Sequence, residues 1–194
     1  MALSVDYDDE LWRLVPETDD PPPAQLVSFV RGLEPVERAL DLGCGDGRLG
    51  TGLQAGRLTL ADVSQVALER AARRVPGARV AQLEPDARLP FEGSAFDLVL
   101  CAETIEHVRD VQLFLSEIRR VLRPGGMLAL TTPAQSRLTG LDILVRGFER
   151  RFNPLSPHLR FLTARSLRRL LDELGFQVLD LQRSSGTLLA RATR

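Results

Sequence analysis

The segment Ala39-Leu40-Asp41-Leu42-Gly43-Cys44-Gly45-Asp46-Gly47-Arg48-Leu49 constrains this chain more than any other. An apolar run ends in an acid, glycines follow at positions 43, 45 and 47, and a helix-like stretch begins. Such a pattern delivers a strand into a tight turn beneath a ligand. Glycine tolerates positive φ and has no Cβ to hold a ligand off the main chain. The dinucleotide fingerprint orders its glycines G-x-G-x-x-G. Here the third glycine falls one residue early and Arg48 takes the last place, so the turn departs from that version. Asp41 stands at the mouth of the turn. A carboxylate there suits a ligand bearing an ammonium or sulfonium better than one bearing a pyrophosphate. The pattern leans towards S-adenosylmethionine, with a purely structural strand-to-helix turn as the competing reading.

Strand-like and helix-like segments alternate around this turn. The apolar runs 36–42, 57–61, 78–83, 96–101 and 127–132 are short and dense, as buried parallel strands are. Helical spacing marks 64–74, 110–122 and 163–174, with Ser64 and Thr163 as caps and Pro76-Gly77, Pro124-Gly125-Gly126 and Gly175 as stops. Two more strands are expected at 176–181 and 187–190. The alternation implies a doubly wound α/β sheet whose ligand lies outside the carboxyl ends of the strands. Two segments fall outside it. The first 35 residues carry Tyr7, Trp12 and Pro21-Pro22-Pro23 ahead of a helix-like 24–33, and residues 133–162 form an insertion far longer than an ordinary α/β connection. Residues 1–20 hold seven acids and one Arg, whereas 134–169 hold eight Arg and two acids. Either the two segments pair over the sheet edge, or each is a separate solvated face.

A formal net charge of −1 gives no global basic field for holding nucleic acid. Cys44 and Cys101 stand in no metal-like spacing, so neither a zinc site nor a disulfide framework is expected, and a reducing, cytoplasmic setting is. Neither a signal peptide nor a membrane-spanning run is expected. All 25 basic residues are Arg. That removes Schiff-base lysines and the P-loop lysine.

Further polar residues fall at successive strand ends. Asp62 can accept both hydroxyls of a ribose, with Val63 beside it against an adenine face; capping the next helix is its alternative role. Asp86-Ala87 could meet an adenine amino group or be plain loop. Cys101-Ala102-Glu103 leaves the fourth strand, and Glu106-His107 follows one helical turn later. His107 is the better-placed proton acceptor, or else it orients the loop; His158 could join it or be structural. Tyr7 and Trp12 could wall the ligand or only pack the arm down. Arg146 and Arg160 in the insertion favour a carboxylate- or phosphate-bearing substrate.

Taken together, ALDLGCGDGRLG, LTLADVS, DARLPFEGSAFDLVLCAETIEHVRD, LRPGGMLALTTP and HLRFLTARSLRRLLDELGFQV resemble the motifs of the class I S-adenosylmethionine-dependent methyltransferases of the compact, small-molecule type, from Val36 to Leu181. The resemblance implies a Rossmann-like, seven-stranded, mostly parallel sheet with helices on both faces. To it are added an N-terminal arm (1–35) and a helical lid insertion (133–162), flanking a cofactor core (36–132) and a C-terminal helix and strands (163–194). It implies S-adenosylmethionine contacts from Asp41, Gly43, Cys44 and Gly45, ribose binding by Asp62, and adenine contacts from Val63, Asp86 and Ala87. The methionine portion would lie beside Cys101, Ala102 and Glu103. It also implies methyl transfer to O or N of a small acceptor by a monomer or homodimer, without membrane or metal. An RNA methyltransferase and a non-catalytic cofactor-binding partner subunit are the alternatives. Against nucleic acid stand the few aromatics and the absence of a DPPY-like tetrapeptide where Cys101-Ala102-Glu103-Thr104 lies.

Overall fold

The computed structural model describes residues 5–135, 145 and 158–194. Among them a seven-stranded sheet runs in the order β3-β2-β1-β4-β5-β7-β6. Its strands are β1 (Val36–Leu42), β2 (Ala55–Asp62), β3 (Arg79–Gln82), β4 (Phe96–Ala102), β5 (Leu122–Pro133), β6 (Gln177–Ser184) and β7 (Thr187–Thr193). The pairs from β3 through β5 are parallel, and β7 lies antiparallel to both β5 and β6. From β1 the chain winds outward to β2 and β3, then returns to lay β4 on the other side of β1. The carboxyl ends of β1 and β4 therefore flank the switch in strand order, where sheets of this kind hold ligands.

Side-chain alternation along β1 explains the two layers. Leu40 and Leu42 join a core with Leu115, Ile118 and Val121 of α4 (Val111–Val121) and Leu167 and Leu171 of α5 (Ala164–Glu173). Ala39 points the other way, onto Leu26, Phe29 and Val30 of α2 (Ala24–Arg31). On that second face α3 (Gln65–Arg74) buries Leu68 and Ala71 against Leu60. Each leucine fully removed from water contributes about 2 kcal/mol, so the leucine-rich stripes hold both helical layers to the sheet. Ser64 caps α3 by accepting from Ala67 N (3.1 Å), and Asp110 caps α4 by accepting from Leu113 N (2.9 Å). Thr163 and Ser166 close a reciprocal box on α5.

Three sequence expectations are corrected. No α-helix follows the glycine turn; residues Gly50–Gly52 form a single 3-10 turn before β2. Glycines favour neither propagation nor nucleation of a helix, and the connection is too short to repay its costly first turn. The first 35 residues contain a helix of their own, α1 (Val5–Leu14), not anticipated from the acidic sequence. β5 starts earlier than expected, carrying the Arg-Pro-Gly-Gly stretch into the sheet through a register shift between Phe96 and Leu98 of β4. Most of the lid insertion, Arg146 included, lies outside the described residues.

Candidate active site

The turn after β1 holds Gly43, Gly45 and Gly47 at φ 73°, 53° and 78°, the left-handed region that side chains resist. Space imposes a second demand. A Cβ on Gly43 would meet the Thr104 side chain at 2.4 Å, and one on Gly45 would meet the Trp12 ring at 2.8 Å. The loop after β4 and the N-terminal arm thus both press on the turn. Main-chain bonds tie it to β2: Gly43 N and Cys44 N donate to Ala61 O at 2.8 and 3.0 Å. Asp62 completes the tie, its carboxylate accepting from Gly45 N (2.8 Å) and Ser64 N (3.0 Å). Each oxygen keeps a second lone pair, so the same carboxylate has capacity for ligand hydroxyls. Burial pushes the Asp62 carboxyl above its ordinary range, against the lowering by those N–H groups.

Asp41 is 2% exposed, and its Oδ2 is buried with no hydrogen-bond partner. Burial, reinforced by the charge of Asp62, pushes its carboxyl up to about 7. An acid left short of a partner at the floor of a glycine cradle fits a ligand with a cationic end. Cys44 and Cys101 are buried beside this region, and the Cys44 Sγ donates to Gly45 O (3.5 Å). Their thiols sit in the two apolar cores, where burial raises them.

Across the switch, β4 ends in a loop built around carboxylates. Glu103 takes φ 52°, rare for a side-chain-bearing residue. Its N–H donates to Thr131 O (3.0 Å) and its Oε1 accepts from Thr131 Oγ1 (2.8 Å). Burial raises its carboxyl to about 7. Glu106 is 1% exposed; Thr132 Oγ1 donates to its Oε2 (3.0 Å), while Oε1 is buried without a hydrogen-bond partner. His107 Nε2 lies 3.9 Å from that Oε1, and the His107 and His158 rings stand 4.8 Å apart between centroids. The bond from Leu159 N to Glu106 O (2.8 Å) draws the end of the insertion to this loop. The two histidines that the sequence places near the pocket are therefore neighbours. Asp86, also at positive φ (54°), lies 3.6 Å from Arg109, with exposed Ala87 beside it; Val63 is half-buried at the end of β2.

The arm covers the turn. Asp9 Oδ1 accepts from Ser64 Oγ (2.6 Å) and Val66 N (3.2 Å), fastening α1 to the start of α3. Trp12 lies beneath the Arg70 guanidinium, 5.8 Å from the ring centroid. Beyond α1, Glu17 pairs with Arg70 (3.3 Å) and Arg73 (2.8 Å), and Asp19 with Arg74 (3.7 Å). The arm's acids thus meet the arginine row of α3, where the sequence reading had weighed the arginines of the insertion. Tyr7 is half-buried on α1, and Arg160 donates to the carbonyl of Arg109. Sequence reasoning missed Asp9, Thr104, Thr131 and Thr132. An acidic pair in a short helix and two threonines ending a buried strand were their only signals.

Residues 40–130 match the family model of a methyltransferase domain. A protein of Mycolicibacterium smegmatis named as an S-adenosylmethionine-dependent methyltransferase is 34% identical over 73% of this chain and 52% of its own. A ubiquinone biosynthesis O-methyltransferase of Chelativorans sp. is 28% identical over 66% of this chain and 54% of its own. The chain thus spans about half the length of these curated relatives. Among solved structures, a Haloferax volcanii chain in complex with the Trm112 methyltransferase activator superposes with a TM-score of 0.71 at 18% identity, covering 87% of each chain. With a positive-φ glycine cradle, an acid with one unpartnered oxygen beside it and a carboxylate closing β2, residues 40–130 form a methyltransferase domain of the class I S-adenosylmethionine-dependent type.

Proposed function

We propose that this chain catalyses methyl transfer from S-adenosylmethionine to an oxygen or nitrogen of a small acceptor, with a preference for an anionic one. One observation carries the reading: the glycine turn tied to Asp62 lies against the loop after β4 that carries Glu103, Glu106 and His107, with Thr104 of that loop packed on Gly43. The bound cofactor supplies an electrophilic methyl group on its sulfonium, so the protein's tasks are alignment and exclusion of water. Asp62 would hold the ribose hydroxyls, Asp86 the adenine amino group, and Asp41 the cationic amino-acid end. Trp12 and α1 cover the turn from solvent. His107 accepts the acceptor's proton, and the buried Glu106 carboxylate beside it stabilises the resulting imidazolium. Arg160, fixed to the Arg109 carbonyl, and Arg146 supply the positive balance that favours an anionic substrate. The name of the Chelativorans relative supports an oxygen acceptor.

The test is formation of S-adenosylhomocysteine against a panel of hydroxylated and amine-bearing metabolites, with tRNA as a control. Turnover with at least one small acceptor and none with tRNA is expected; the reverse pattern overturns the acceptor class. His107→Ala should lower turnover by about 10²-fold or more with little change in cofactor affinity. An unaltered rate removes it as the base.

A further inference from the structure

We propose that Glu106, His107 and His158 form a binding site for a divalent transition-metal cation on the acceptor side of the pocket. One ligand atom from each lies within 4.8 Å of the others. The spacing of Cys44 and Cys101 gave no expectation of a metal, and His158 stands far from Glu106 and His107 along the chain. The fold brings them together by bonding Leu159 N to Glu106 O.

The independent pointer is Glu106 itself. Its side chain is 2% exposed, and Oε1 has no hydrogen-bond partner although it lies 3.9 Å from His107 Nε2. Leaving a buried carboxylate oxygen unsatisfied is costly, and such orphans in native structures often mark an ion site. The other oxygen is held by Thr132 Oγ1, so the direction in which Oε1 points is fixed in the way that ligating carboxylates are held by outer partners. Thr131 next to it holds Glu103 in the same way, leaving a second carboxylate close by. Each imidazole has two nitrogens, so one can ligate while the other keeps a hydrogen bond.

The donor set selects the ion. Two imidazoles and a carboxylate suit zinc, cobalt, iron or manganese, whereas magnesium and calcium want oxygen throughout. Bonds of ~2.0–2.2 Å place tetrahedral ligands about 3.4 Å apart, so the three groups need to draw in by roughly 1 Å. Three protein ligands leave at least one position open. The open position would seat an acceptor oxygen, and in that respect the inference rests on the acceptor reading above. With the cation bound, His107 is a ligand rather than the proton acceptor, and an added chelator should then slow turnover. Without a cation the chelator has no effect.

The full chain, stripped with a chelator, is titrated with Co²⁺ by visible absorption and with Zn²⁺ by calorimetry, in the absence of cofactor and acceptor. Saturation at one equivalent is expected, with affinity at least about tenfold weaker in both Glu106→Gln and His158→Ala. His158→Ala alters only a half-buried side chain, so it reports on the site even where Glu106→Gln fails to fold. No Co²⁺ spectrum in the wild type, or equal affinity in the variants, overturns the proposal. Because no acceptor is present, failure of the acceptor panel leaves this result standing, and the converse also holds.

Discussion

The two sides of the pocket are stabilised by different parts of the chain. On the β1–β2 side the turn is held by main-chain N–H groups, which donate to Ala61 O and to the Asp62 carboxylate. On the β4–β5 side the carboxylates of Glu103 and Glu106 are held by the hydroxyls of Thr131 and Thr132, and one oxygen of Glu106 is left open. Main-chain scaffolding makes one geometry and needs glycine to make it. Side-chain scaffolding admits other polar residues and so can be retuned without disturbing the sheet. The first side suits a ligand that never changes, and the second suits a variable partner.

Breaking the first side should therefore cost the fold itself. Gly43→Val puts a branched side chain at φ 73° and a Cβ 2.4 Å from Thr104. Left-handed backbone alone costs ~1–2 kcal/mol, and with the clash the loss should reach about 3 kcal/mol or more. At roughly 2–4 °C per kcal/mol for a chain of this size, the melting temperature should fall by about 10 °C. A change within about 2 °C would show that the Thr104 loop yields freely. Asp62→Ala comes next: it strips two backbone N–H groups of a charged acceptor, worth about 2 kcal/mol in stability. Cofactor affinity should weaken by roughly 1–3 kcal/mol as well. Unchanged affinity by calorimetry would end the ribose assignment. On the other side His107, which is exposed, should tolerate Ala within about 0.5 kcal/mol. If His107→Ala costs as much stability as Asp62→Ala, the contrast between the two sides fails.

This contrast also explains what the sequence made legible. Gly43, Gly45 and Gly47 announce their backbone because no other residue serves at those angles, and Asp62 follows from its place at a strand end. The strands around them read directly, since buried parallel strands are short apolar runs. The second side left weaker marks. Glu106 and His107 stand out as a pair, but their link to His158 and to Thr131 and Thr132 is a product of tertiary folding that no local spacing encodes. The helix of the arm went unread for a related reason. It is held by Asp9 on Ser64 and Val66 and by the arginines of α3, and local spacing does not encode such contacts with a distant helix. The helix expected after the turn failed because the pattern of the fold outweighed Gly50 and Gly52 in the reading, whereas in the molecule those glycines keep the connection to one 3-10 turn.

The smallest expected effect is a pH dependence that belongs to the side-chain-built half. Burial holds the Glu103 carboxyl at about 7, above its ordinary 4.5. The folded protein therefore retains a proton that the unfolded chain releases once pH exceeds about 4.5. The stability this group supports is full below 4.5, declines as pH rises through the window to about 7, and levels off above it. Glu103→Gln keeps the shape and cannot ionise, so the variant should gain on the wild type as pH rises from 5 to 8. Water screens a half-buried group, and the gain should be modest. Asp41 titrates in the same window, but it is present in both proteins and cancels in the difference between them. Thermal melts of the two proteins across that range decide the matter. A difference in melting temperature that stays constant with pH would mean that Glu103 remains ionised in the fold, held by Thr131 as firmly as Asp62 is held by the main chain.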